Sequence, residues 1–182
     1  MNCQEALNKG IKILRSNNIK SFNLDSEILL ALSLKLDRSR LLLNLNKEIK
    51  KNQSEVFFNF VDRRKKSEPI AYILGFKEFW KNNFIVDKSV LIPRPDTEIV
   101  VEQALKEIKV NESKQILDVG TGSGCIILSV LNERKNSYGY GIDISKKAIN
   151  LAKNNAKIQH FRNRIKFFNS DIDNFYFGKY DL

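Results

Sequence analysis

The sequence predicts an α/β protein: a helical bundle, a β-hairpin, then a parallel sheet covered by helices. Three observations predict it. Apolar residues recur at helical spacing up to about residue 66. Aromatic and β-branched residues crowd the stretch from Ile70 to Pro93. From residue 115 onward, strand-like and helix-like stretches alternate, which is the signature of parallel strands joined by helical crossovers.

Composition sets the outer bounds. The chain has 182 residues, 42% hydrophobic and 29% charged, which are values of a folded chain rather than a disordered one. Its formal net charge is +10, with 14 basic and 8 acidic residues in 1–69 and 17 and 13 in 70–182. So diffuse an excess suits an acidic partner or nucleic acid, and equally a Lys- and Asn-rich composition. The start, MNCQEALNKG, has no apolar core of a signal peptide. The longest apolar run, Ile28 to Leu34, is broken by Ser33 and falls far short of a membrane span. Cys3 and Cys125 lack metal-ligand spacing and read as reduced thiols, so a cytoplasmic location and no metal are expected. With His160 as the single histidine, neither a Ser-His-Asp triad nor a multi-histidine metal site is expected.

Four short helices account for the first third. Ala6, Leu7, Ile11 and Leu14 form one stripe, and Leu24, Ile28, Leu29, Leu32 and Leu36 a second. A shorter apolar segment runs from Leu41 to Leu45. Val56, Phe57, Phe60 and Val61 share a face of a fourth helix that ends in Arg63-Arg64-Lys65-Lys66, read as a solvated last turn complementing the helix dipole. Pro69 cannot continue that helix. AYILGFKEFW and NFIVDKSVLIP, with Lys81-Asn82-Asn83 between them, read as the two arms of a hairpin. Arg94-Pro95-Asp96-Thr97-Glu98 opens a helix whose apolar side is Ile99, Val100, Ala104, Leu105 and Ile108. Strands are then expected at 115–119, 138–142 and 164–169, helices at 124–134 and 145–157, and the beginning of a fourth strand at 179–182.

The first of those strands runs into the stretch ILDVGTGSGCIIL, from Ile116 to Leu128. Glycines at 120, 122 and 124 separate two segments that both want burial. They fall on a strand-to-helix turn, at the carboxyl end of a parallel strand, where ligands of open α/β sheets bind. Glycine there permits positive φ and close approach of a ligand to the backbone. A tight turn is the other reading, because the nucleotide fingerprint GxGxxG is not met: position 125 is cysteine. Asp143 ends the second strand, 19 residues after Gly124, and can accept both hydroxyls of a ribose; the alternative is a cap for the following helix. Asp171 repeats that placement after the third strand and can accept from an adenine amine, or serve its own turn. No GxxxxGK[ST] triphosphate cradle occurs. A glycine loop of Gly120, Thr121, Gly122, Ser123 and Gly124, with a ribose acid and an adenine acid but no phosphate clamp, suits S-adenosyl-L-methionine.

These motifs resemble the release-factor glutamine methyltransferases of the HemK/PrmC type. The resemblance rests on Glu68-Pro69-Ile70-Ala71-Tyr72-Ile73-Leu74-Gly75, on Glu78-Phe79-Trp80, and most specifically on Leu91-Ile92-Pro93-Arg94-Pro95-Asp96-Thr97-Glu98, with Ile116 to Gly124 and Gly141-Ile142-Asp143. It implies an incomplete Rossmann-like class I methyltransferase sheet. The implied domains are a helical bundle for substrate recognition at 1–68, a β-hairpin linker at 69–92 and a partial cofactor-binding domain at 93–182. It also implies that Arg94, Pro95, Asp96 and Thr97 lie over the cofactor mouth, and that Ile172 stands where an aromatic commonly packs on the adenine.

The implied reaction moves the sulfonium methyl to the side-chain amide nitrogen of a glutamine in a class I peptide chain release factor. In the family an Asn-Pro-Pro-Tyr tetrad polarises that poor nucleophile. No such tetrad occurs among the 182 residues, so no catalytic residue is assigned; the tetrad is expected beyond Leu182, and the truncated chain is expected to be inactive alone and to self-associate through an exposed sheet edge. Two other readings stand beside this one. An amino methyltransferase relative acting on nucleic acid is disfavoured by the Pro93–Glu98 block and by the N-terminal helices. The other is a non-catalytic remnant that binds without turnover.

Overall fold

Helix α1 (Cys3–Ser16) starts at a reciprocal cap: the Asn2 side chain accepts from the Glu5 amide at 2.8 Å, and the Glu5 carboxylate accepts from the Asn2 amide at 3.2 Å. In this computed structural model, which describes residues 1–161 and 163–182, the chain divides into two units, 1–74 and 75–182. The first unit continues with α2 (Phe22–Leu34), α3 (Arg38–Leu42), α4 (Lys51–Lys65) and α5 (Ile70–Leu74). Its core joins Ala6, Leu7 and Leu14 of α1, Leu29 and Leu30 of α2, and Phe57 and Val61 of α4. Gly10 is the contact point of α1 with α4: a Cβ there would lie 2.6 Å from the Phe57 ring. The buried face of α2 is rotated from the expected stripe. Asp25 and Ser26 are buried, whereas Leu24 and Leu36 are exposed.

The buried Asp25 explains that rotation and corrects the reading of the basic run. Arg64 reaches back 39 residues to pair with Asp25 at 2.7 Å, and the Ser21 hydroxyl donates to the same carboxylate oxygen at 2.7 Å. Arg63 forks onto Glu68 with contacts of 2.9 and 2.8 Å. Two of the four basic residues are thus structural partners rather than a solvated helix end. A second correction concerns the hairpin. Residues 70–74 are helical, because the Pro69 carbonyl accepts the first helical bond from Ile73 and Gly75, at φ +80°, ends the turn.

The second unit opens with strands β1 (Phe76–Phe79) and β2 (Asn82–Ile85), antiparallel with Phe76 opposite Ile85 and Phe79 opposite Asn82. The turn is Trp80-Lys81, one position earlier than expected. Trp80 takes φ +54°, and Glu98 accepts its amide at 2.7 Å. A 3₁₀ turn (Pro95–Thr97) leads into α6 (Glu98–Glu107). Of its expected apolar side only Ile108, just beyond the helix, is buried; Ile99 and Val100 are exposed, and the buried residue of the helix is Val101, which the expected stripe left out.

Then come β3 (Gln115–Val119), α7 (Cys125–Glu133), β4 (Tyr138–Asp143), α8 (Lys146–Ile158) and β5 (Ile165–Asn169), all near the expected bounds. The strands form one parallel sheet in the order β3-β4-β5, with Gln115 opposite Tyr138 and Gly139 opposite Ile165. Gly139 and Gly141 of β4 make room for side chains of α7 and of the neighbouring strand β5. A Cβ on Gly139 would lie 2.7–2.9 Å from Ile165, Ile127 and Leu131, and one on Gly141 2.6 Å from Phe167. The opposite face is covered by rings. Tyr140 meets Tyr180 at 5.2 Å, and Phe168 meets Phe175 and Phe177 at 5.4 Å each. Residues 179–182 form no strand element, yet they bond to the outer side of β3. The Asp181 amide donates to the Gln115 carbonyl at 2.8 Å, and the Leu117 amide donates to the Leu182 carbonyl at 2.9 Å. No helix among the described residues is long and apolar enough to cross a membrane.

Candidate functional site

The carboxyl end of β3 delivers the chain into the glycine turn. Gly120, Gly122 and Gly124 adopt φ of +72°, +55° and +79°, a region that side-chain-bearing residues enter at a cost. Backbone bonds from this turn run to β4: the amides of Gly120 and Thr121 both donate to the Ile142 carbonyl at 2.9 Å. Gly124 is the left-handed residue preceding α7, and a Cβ there would crowd Leu128 at 3.3 Å. Around Gly120 a Cβ would meet nothing within 4 Å, so that side of the bare backbone opens onto free space.

Two carboxylates frame the turn. Asp143 accepts from the Gly122 amide at 3.0 Å with one oxygen and from the Ser145 amide at 2.8 Å with the other. Capping of α8 belongs to the Ser145 hydroxyl, which accepts from the Ala148 amide at 3.2 Å. Each Asp143 oxygen keeps lone-pair capacity, since a carboxylate offers about four acceptor sites. Asp118, inside β3, accepts from the Thr121 hydroxyl at 2.7 Å. Burial pushes its carboxyl up to about 6, an effect opposed by the Thr121 bond and reinforced by the charge of Asp143. The neighbouring Cys125 thiol is pushed up to about 11 by burial, so it is a packing group rather than a nucleophile.

The other expected positions are placed as follows. Thr121 and Ser123 are buried inside the turn. Asp171 holds its own turn, accepting from the Asn174 amide and side chain at 2.8–2.9 Å, and Ile172 beside it is half exposed. Arg94 is exposed, without an ion pair among the described residues, and the Pro95–Thr97 turn makes no hydrogen bond to the glycine turn among them. Clefts of about 410 and 280 Å³ in this unit lie along α8 rather than at the glycines. No cluster of metal-ligating side chains occurs among the described residues.

Three residues were missed from sequence. Besides Asp118, Asn155 of α8 is buried and reaches two places: its amide nitrogen donates to the Ser123 carbonyl at 2.8 Å and the Ile85 carbonyl at 3.1 Å, and its oxygen accepts from the Ile85 amide at 2.8 Å. Asn169 bonds the carbonyls of Asp143 and Ile144, both at 2.9 Å, closing the carboxyl ends of β4 and β5. Asn155 had a signal. It stands in the apolar stripe Ala148, Leu151, Ala152, Ala156, where an amide needs partners.

Comparison with known proteins gives two domain matches and a set of relatives. Residues 5–75 match the PrmC N-terminal domain, and residues 110–182 match a methyltransferase domain. A release factor glutamine methyltransferase of Clostridium acetobutylicum is 41% identical over 172 residues, covering 94% of this chain and 60% of that protein. One from Clostridium botulinum is 40% identical over 169 residues, covering 93% and 60%. One from Fusobacterium nucleatum is 38% identical over 178 residues, covering 97% and 49%. The chain thus spans about 60% of the length of the first two of these relatives.

Proposed function

We propose that this chain, by sequence a relative of the release factor glutamine methyltransferases, binds S-adenosyl-L-methionine at the 120–124 turn for methyl transfer to a glutamine side-chain amide of a class I release factor. One observation carries the cofactor half: three positive-φ glycines at the carboxyl end of a parallel strand, held open between Asp118 and Asp143. When bound, S-adenosyl-L-methionine supplies an electrophilic methyl group on a cationic sulfonium. Bare backbone at Gly120 admits a ligand against the turn, and the free lone pairs of Asp143 accept ribose hydroxyls. Asp118 and Asp143 repel each other, which favours a cationic ligand at the turn. Asp171 and Ile172 are assigned to the adenine, and Arg94 to Thr97 to the mouth of the site.

The release factor as partner rests on the relatives' names and on the N-terminal domain match. A glutamine amide nitrogen is a weak nucleophile that must be polarised through its N–H bonds. The prolines of the chain are Pro69, Pro93 and Pro95, none in an Asn-Pro-Pro-Tyr sequence, so the 182 residues alone are expected to bind cofactor without turnover. The proposal includes self-association along the sheet margins, where the side of β3 away from β4 is bonded, among the described residues, by residues 181–182 alone; light scattering from a strictly monomeric chain would count against it. The decisive test is calorimetry with S-adenosyl-L-methionine. Wild type should bind and Asp143→Ala should not. Equal affinities would remove Asp143 from the site, and no binding by wild type would remove the cofactor assignment.

A further inference from the structure

Between Asp143 and Asp171 the sequence carries seven Lys and Arg residues and no Asp or Glu. The fold sorts this charge. Arg164 turns inward, donating to the carbonyls of Leu131, Arg134 and Ser137 at 3.0–3.2 Å, and so belongs to the framework. Lys147 shares a cleft with Asp87. Lys153 and Lys157 remain on the exposed face of α8, one turn apart, and Lys166 stands exposed on β5, the marginal strand. These three lysines line one groove of about 410 Å³, whose floor is Ile165, Phe167 and Phe168. None of their side chains has an ion pair or hydrogen bond among the described residues, and no acid lines the groove. Lys146 extends the line at the start of α8, about 10 Å along the axis from Lys153.

Beside the groove lies a ring stack. Phe168 stacks on Phe177 at 5.4 Å with an interplanar angle of 23°, and Phe177 is 65% exposed. Unpaired lysines about 6 Å apart along a helix, next to an open aromatic face, match a strand that offers phosphates in a row and bases that can leave the stack. An acidic peptide would use the lysines but leave the rings idle. We propose that the α8–β5 margin is a docking surface for single-stranded RNA, separate from the glycine turn and independent of the methyl acceptor.

The test uses the full 182-residue chain and a labelled oligouridylate, titrated by fluorescence anisotropy at several salt concentrations. Wild type should bind with salt-dependent affinity. Lys153→Ala/Lys157→Ala/Lys166→Ala should weaken binding at least tenfold at low salt and reduce the log–log salt slope by about 2, at roughly 0.7 per phosphate on a single strand. A control triple of exposed lysines in the helical unit, Lys12→Ala/Lys20→Ala/Lys51→Ala, should stay within about twofold of wild type at low salt, since unlocalised charge steers binding without fixing a site. All six lysines are exposed, so unchanged melting curves will show that the variants fold. Equal losses in the two triples would overturn the localised surface. Competition by poly-L-glutamate as strong as by poly(U), or tighter binding of duplex DNA, would overturn RNA as the occupant.

Discussion

The two faces of the β3-β4-β5 sheet are built differently. On the helix-covered face, glycines in β4 let α7 and the β5 side chains Ile165 and Phe167 come so close that an added methyl would collide, and Ile127, Leu128 and Leu131 lose all solvent contact. On the ring-covered face, aromatic side chains from a coil replace a helix, and Tyr176 and Phe177 remain 86% and 65% exposed. Polar chemistry divides the same way. Asp118 lies opposite Gly141 in register and shares the helix-covered face, as does Asn155 of α8. The contrast teaches that tight packing and the buried polar framework of the glycine turn lie on one side of the sheet, while the other side is left open to solvent.

Four measurements would break or sharpen that contrast. Leu128→Ala opens a cavity on the tight face and should cost about 3–5 kcal/mol by denaturant titration. A cost near that of a surface change would mean the face is loosely packed. Asn155→Ala strands the Ser123 carbonyl and both backbone groups of Ile85, and should cost about 2–3 kcal/mol. The third concerns pH. The folded Asp118 carboxyl titrates at about 6, above its ordinary 3.8, so between these values the folded state holds a proton that the unfolded state has released. Its contribution is therefore fully favourable below about pH 4 and is lost as pH rises through about 6. Wild type should lose about 1–3 kcal/mol relative to Asp118→Asn over that window, discounted for partial solvent screening. Parallel stability curves would mean that Asp118 is not desolvated. Least affected is the open face: Phe177→Ala should shift stability by less than about 1 kcal/mol. A larger loss would make the ring layer a true second core.

Much of this was legible in the sequence, for definite reasons. Strand and helix positions from 115 to 169 follow from apolar runs bounded by turn residues, and each of the three glycines stands where the backbone requires positive φ. Residues 70–74 misled because Ile70, Tyr72 and Ile73 favour strands, although Pro69 before and Gly75 after them are helix punctuation. The Arg64–Asp25 pair joins residues 39 apart and has no local signal. The role of Asp143 toward Gly122 was hidden too, since reading it as a ribose acceptor or a helix cap leaves out the turn it holds.

The Asn155 side chain has an evolutionary consequence. One amide group answers a donor and two acceptors at once, on two separate stretches of chain. Aspartate could accept from Ile85 but would face two carbonyls with nothing to donate; leucine would match the shape and leave all three groups idle; glutamine carries the same head one methylene too far. No single-residue exchange keeps the arrangement, so this position should drift more slowly than its exposed helical neighbour Asn154.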